Sequence, residues 1–165
     1  MKILVMSDSH STLRFMRKCV EIIKPDAIVH LGDHYDDGCV IGEENPHIPM
    51  HQVPGNCDKY RCPPFAREVL CYTVCGVRLF MTHGHNHHVK MGIGALIRDA
   101  RKEGAQVALY GHTHQEDCHR QPPDGLWVLN PGSSGGSGSA GIVETKENEI
   151  VNCYIIHEAD LEEIK

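Results

Sequence analysis

The chain has no surplus of basic residues: 16 Lys and Arg face 22 Asp and Glu, which leaves a formal charge of -6. Nucleic acid and anionic membrane are gripped mainly through clustered lysine and arginine, so neither sequence-specific nucleic-acid binding nor membrane binding is expected. Long apolar runs are also missing. No stretch approaches the roughly 20 residues that cross a bilayer. Ile3-Leu4-Val5-Met6 runs straight into Ser7-Asp8-Ser9-His10 and is too short for a signal-peptide core. A cytoplasmic protein is the expectation. The eight cysteines (Cys19, Cys39, Cys57, Cys62, Cys71, Cys75, Cys118 and Cys153) lack a second pair to match Cys71 and Cys75 at finger-like spacing. A structural zinc cluster is therefore not expected, and in a reducing cytosol the cysteines are thiols. No internal repeat is visible, and 165 residues with 41% hydrophobic content suffice for one domain spanning 1–165.

What is present is an alternation of short apolar runs with helical patterning. Residues 2–6 read as a strand covered on both faces. Ser11 or Thr12 can cap a helix carrying Leu13, Phe15, Met16, Cys19, Val20 and Ile23 inward, and Pro25 stops it. A second buried strand, 27–31, completes a βαβ unit with parallel strands and a right-handed crossover. A third strand covers 48–53, and 68–74 with 77–82 form a hairpin turning at Cys75-Gly76. A helix is predicted over 88–103, ended by Gly104. Further strands are expected at 106–110, 126–129, 141–145 and 150–156. Ser133 to Gly141, built of Ser, Gly and Ala alone, has linker composition, but the chain after it is too short for another domain. A flexible loop is predicted there. The segment from His34 to Met50 is too short for a separate capping domain.

Chemistry-bearing residues recur at the ends of these runs. In open α/β sheets ligands gather beyond the carboxyl ends of the strands. Asp8 and His10, Asp33, Asn56, His83, and His112 with His114 all fall at such ends. Seven ligands in that order could supply three or four side chains to each of two adjacent divalent ions, the arrangement used for in-line attack on a phosphate ester. Asp33, directly after Gly32, suits a bridging role because glycine permits close backbone approach. Mixed imidazole and carboxylate donors fit Mn, Fe, Zn or Ni better than Ca or Mg. Asp58 is expected to hold the Asn56 turn by hydrogen bonds. Asp36 and Asp37 read as surface acids. His30 and His51 read as structural; His34, His87, His88, His119 and His157 read as solvated. Thirteen histidines could also suggest a metal buffer, but pairs at strand ends differ from a dense tract.

The set Asp8-Ser9-His10, Gly32-Asp33, Gly55-Asn56-Cys57-Asp58, His83-Gly84-His85 and Gly111-His112-Thr113-His114, with Asn130-Pro131-Gly132-Ser133 afterwards, resembles the calcineurin-like metallophosphoesterase superfamily. More closely, it is similar to the small bacterial and archaeal YfcE-type phosphodiesterases, which are also relatives of the retromer scaffold subunit. The resemblance spans nearly the whole chain and implies an α/β fold, a four-layer α/β/β/α sandwich of two mixed β-sheets. It implies a small-molecule phosphate ester as substrate and two divalent ions, Mn first, with Fe, Zn or Ni as alternatives. Asp8, His10 and His114 would hold one ion and Asn56, His83 and His112 the other, with Asp33 between them. A hydroxide shared by the ions would attack phosphorus, and a homodimer or homotetramer would be the assembly. The alternatives are a phosphomonoesterase or a protein-interaction scaffold on the same fold. Two departures stand out. Larger members carry His after the Asn, where it protonates the leaving oxygen, but this chain has Cys57; His85 is then the first candidate for that role. The Ser/Gly loop also lacks the proline and arginine that relatives often carry nearby.

Overall fold

The computed structural model describes residues 1–163. The strands are β1 (Lys2–Met6), β2 (Ala27–His30), β3 (Met50–Gln52), β4 (Val69–Val74), β5 (Val77–Thr82), β6 (Val107–Leu109), β7 (Asp117–Gln121), β8 (Leu126–Asn130), β9 (Ser139–Lys146) and β10 (Glu149–His157). The helices are α1 (Leu13–Ile23), α2 (Tyr35–Glu44), α3 (Gly94–Lys102) and α4 (Asp160–Glu163). Two mixed five-stranded sheets result, ordered β10-β9-β1-β2-β3 and β4-β5-β6-β8-β7. In the first, β1, β2 and β3 run parallel and β9 runs antiparallel to β1. In the second, β5, β6 and β8 run parallel, with β4 and β7 antiparallel at the edges.

The period of two along each strand builds the layers. Successive side chains point to opposite faces, so Ile3 and Val5 of β1 meet Leu79, Met81, Leu109 and Leu129 of the other sheet. Leu4 and Met6 point the other way, onto Phe15, Met16, Cys19 and Ile41 of α1 and α2. Phe80, Ala108 and Val128 face α3 through Leu96, Ile97 and Ala100. This is the four-layer α/β/β/α sandwich. Each large side chain buried at these three interfaces is worth about 2 kcal/mol of transfer free energy, so the stacking of layers dominates stability. The α1 stripe predicted from spacing is the buried one, and Lys24 ends the helix in the left-handed region (φ 49°) just before Pro25. Thr12 is its N-cap residue but its side chain makes no capping hydrogen bond.

Several predicted elements differ. The helix expected from residue 88 begins only at Gly94, because Gly92 at φ 142° and His88 at φ 53° turn the chain first. Helix α2 was not expected: Gly38 and Gly42 interrupt its apolar period, and Asp37 takes an inward position. Strand β7, Asp-Cys-His-Arg-Gln, is too polar to signal a strand and is held by its pairing to β8. The Ser/Gly segment is not a free loop. Ser133 and Ser134 are buried, and Ser139, Ala140 and Gly141 belong to β9. Small residues are needed there because a side-chain carbon on Gly141 would come within 2.7 Å of Leu129 across the sheets.

Candidate metal centre

The loops after β1, β2, β3, β5 and β6 meet at one rim. Backbone bonds stitch them together: the Asp8 N–H donates to Gly32 O (2.9 Å), and the Gly111 N–H donates to His83 O (3.0 Å). Two close approaches require glycine. A Cβ at Gly55 would lie 2.1 Å from Asp33 Oδ1, and one at Gly111 would lie 2.1 Å from Ser7 Oγ and 2.8 Å from Asp8 Oδ2. The loops can converge on the carboxylates only because these positions carry no side chain.

All seven predicted ligands come to this rim. Asp8, Asp33 and His83 form a buried floor, while His10, Asn56 and His114 stand exposed above it and His112 is half-buried. Asp8, His10 and His114 have ligand atoms within 4.8 Å of one another, and so do Asp8, Asp33 and His83. Asp8 therefore belongs to both groups. His83 Nε2 lies 3.2 Å from Asn56 Oδ1, and the His83 and His112 ring centroids are 5.0 Å apart. His85 packs beside both, 5.5 Å from the His83 ring centroid and 6.2 Å from that of His112.

The donor set fits a pair of cations. Asp8 Oδ1 is buried without a hydrogen-bond partner; His114 Nε2 lies 3.0 Å away, but not along a hydrogen-bonding direction. His10 Nε2 and His114 Nε2 are 3.3 Å apart, and His83 Nε2 is 3.5 Å from Asp33 Oδ2. A positive charge placed among Asp8 Oδ1, Asp33 Oδ2 and these imidazole nitrogens would be stabilised. His83 Nδ1 lies 2.7 Å from Leu31 O, a carbonyl that can only accept, so Nδ1 carries a proton and Nε2 is the atom that faces the pocket. Burial, then the neighbouring His83, pushes the pKa of both His85 and His112 down. Burial opposes ionisation of Asp33, but His83 and the Cys57 N–H outweigh it and hold the carboxyl below its usual range.

Five of the seven predicted ligands sit at positive φ: Asp8 (53°), His10 (45°), Asp33 (53°), His112 (68°) and His114 (57°). Non-glycine residues rarely adopt that region, and such strain concentrates where the surrounding structure imposes it for function.

A supporting layer was only partly legible. Asp58 does hold the Asn56 turn, through Gly55 N–H at 2.7 Å. The same carboxylate also accepts from the N–H groups of Asp33, His34 and Tyr35, each at 2.9 Å. Asp37, expected at the surface, is 7% exposed and accepts from Ser9 Oγ (2.7 Å) and the Ser11 N–H (2.8 Å). Ser7 Oγ donates to Asp8 Oδ2 at 2.5 Å, and Ser133 Oγ donates to Asp8 O at 2.8 Å. The hint for Ser7 was its place beside Asp8; Ser133 was masked by its loop-like surroundings. His87, expected to be solvated, is buried edge-on to Phe80 with Asp99 beside it. His34, Asp36 and Asp37 form a third acidic group, but Asp37 is engaged with Ser9 and Ser11 and Arg61 lies 3.1 Å from Asp36.

The chain is similar to a phosphodiesterase of Methanocaldococcus jannaschii, 28% identical over 90% of this chain and 96% of that protein. It is also similar to the probable metallophosphoesterase YsnB of Bacillus subtilis, 30% identical over 81% of this chain and 75% of that protein. Among solved structures, an uncharacterised protein of Streptococcus pneumoniae described as a predicted phosphoesterase superposes with a TM-score of 0.76 at 25% identity, covering 94% and 88% of the two chains. The model of the calcineurin-like phosphoesterase superfamily domain matches residues 1–160, and the chain belongs to that superfamily.

Proposed function

We propose that the protein is a phosphodiesterase working with two divalent ions, Mn first, with Fe, Zn or Ni as alternatives. The observation that carries this reading is the pair of ligand groups that share Asp8, whose buried Oδ1 has no hydrogen-bond partner. The phosphodiesterase named among its relatives supports the choice of ester. Asp8, His10 and His114 are assigned to one ion, Asn56, His83 and His112 to the other, and Asp33 to the space between. Two ions bound there supply the charge that activates a water and neutralises phosphoryl oxygens. The exposed amide of Asn56 can present its oxygen to His83's side and its NH2 to a phosphate oxygen. His85, which lines the same cavity as Asn56, is assigned to deliver a proton to the leaving oxygen.

Hydrolysis of bis-p-nitrophenyl phosphate with Mn, before and after chelation, tests the proposal, with p-nitrophenyl phosphate as the monoester control. Diester turnover that chelation abolishes and Mn restores is expected, and faster monoester turnover would make it a phosphomonoesterase. A scaffold role is the second reading. It rests on fold likeness to vacuolar protein sorting 29 of Cryptosporidium parvum, with a TM-score of 0.71 at 14% identity, covering 94% and 96% of the two chains. Absence of any metal-dependent turnover would favour it.

A further inference from the structure

Beside the ligand rim lies a cavity of 570 Å³ that the seven ligands alone do not explain. Asn56 and His85 both line it. Pro54, Pro63, Pro64 and Ala66 supply the apolar lining, and the exposed Lys59 and Glu68 stand at the edge. We infer that this cavity receives the leaving arm of a phosphodiester, and that the arm is a flat aromatic group; the inference rests on the phosphodiesterase reading above.

Three observations support it. First, continuity: Asn56, assigned above to one ion and to the phosphate, and His85 both line the cavity, so the cavity adjoins the place where the phosphate would be held. Second, size: small-molecule sites span about 300–1,000 Å³, and 570 Å³ accommodates a one- or two-ring group rather than a methyl or a single water. Third, chemistry of the lining: proline rings are rigid, so stacking a planar ring on them costs little conformational entropy. The wall is also fixed in place. The Ala66 N–H donates to Pro63 O at 2.9 Å, closing a turn, while the Arg61 and Cys62 N–H groups donate to Asp58 O at 2.8 and 3.2 Å. The carboxylate of Asp58, in turn, holds the Asp33 and Asn56 loops, so the cavity wall and the ligand rim share one anchor.

The test uses the Mn-loaded full chain and calorimetric binding of two non-hydrolysable probes, naphthylmethylphosphonate and methylphosphonate. The naphthyl probe is expected to bind more tightly. Ala66→Trp, which fills the cavity, should weaken it by about tenfold, the loss of roughly one ring's burial. Methylphosphonate affinity and bound Mn should stay unchanged. Pro64→Ser, at an exposed position, serves as a second variant with the same sign and a smaller effect. Kinetics add an independent arm: a naphthyl diester against a fluoroalkyl diester whose leaving alcohol has matched acidity, so that fit rather than chemistry is compared. Ala66→Trp should lower kcat/KM for the naphthyl ester alone. Equal affinities for the two probes, or equal losses on both esters, would overturn the cavity assignment while leaving the phosphodiesterase reading intact. Absence of Mn-dependent turnover of every ester would overturn both.

Discussion

Individual residues decide whether the rim can form. Gly55 is tightly constrained, since a methyl group there would collide with Asp33 Oδ1 and the Asp33 amide. Gly55→Ala should push Asp33 away from His83 by a fraction of an ångström or more. Misplacement on that scale costs about a hundredfold in rate, so the variant should fold, bind less Mn by elemental analysis, and turn over diesters about a hundredfold more slowly. Cys57 is the second informative position. It is exposed beside Asn56, its N–H donates to Asp33 Oδ1 at 2.9 Å, and burial and the nearby Asp33 both raise its thiol pKa. A thiol so placed protonates a leaving oxygen poorly. Cys57→His should raise kcat for alkyl diesters, which need that proton, and leave aryl diesters unchanged; equal gains on both would contradict this account.

Among the elements, the turn carrying Asp58 joins more of the molecule than its length suggests. One carboxylate accepts four backbone N–H groups from two loops. Asp58→Ala would leave those donors without a partner in a buried place, at a cost of about 3 kcal/mol. Denaturant unfolding should register that loss, and Mn affinity should fall with it, because the Asp33 and Asn56 loops then drift independently. The sequence made this element half readable: an Asx residue two positions after Asn56 signals a turn anchor, but nothing local says that the second oxygen reaches the start of α2. The same division holds elsewhere. Strands β1 and β2 and the β4–β5 hairpin were legible because burial on one or both faces writes an apolar pattern into neighbouring residues. Helix α2 was not, because its start is held by Asp58 from further along the chain, and strand β7 was not, because its residues are polar and only its pairing to the neighbouring β8 holds it. The meeting of the seven predicted ligand positions at one rim was legible through their place at strand ends, whereas Ser133 and Asp37 touch the rim only through tertiary contacts.

For the molecule as a whole, acid stability should be set in part by His30. It ends β2, is fully buried, offers Nε2 to Ser9 Oγ at 3.2 Å and leaves Nδ1 without a partner. Burial pushes its pKa down to about 4 against the pull of Asp58, Asp37 and Asp8. A histidine whose folded pKa lies below its unfolded value of 6.5 contributes stability that is present above 6.5 and is lost as pH falls toward 4. The loss amounts to about 3 kcal/mol. His30→Leu removes this titration, so its stability relative to the unsubstituted protein should rise by about 3 kcal/mol on acidification from about pH 7 to about pH 4. Denaturant melts at both ends of that range would detect it, and a constant difference would rule it out. A last consequence concerns biosynthesis. The backbone of Ser7 and Asp8 is gripped from far along the chain by Ser133, Ser134 and Gly135, and β1 is zipped on one side by β9. A nascent polypeptide thus emerges with all seven assigned positions ahead of the segment that closes this side of the Asp8 loop, and that side closes last in synthesis.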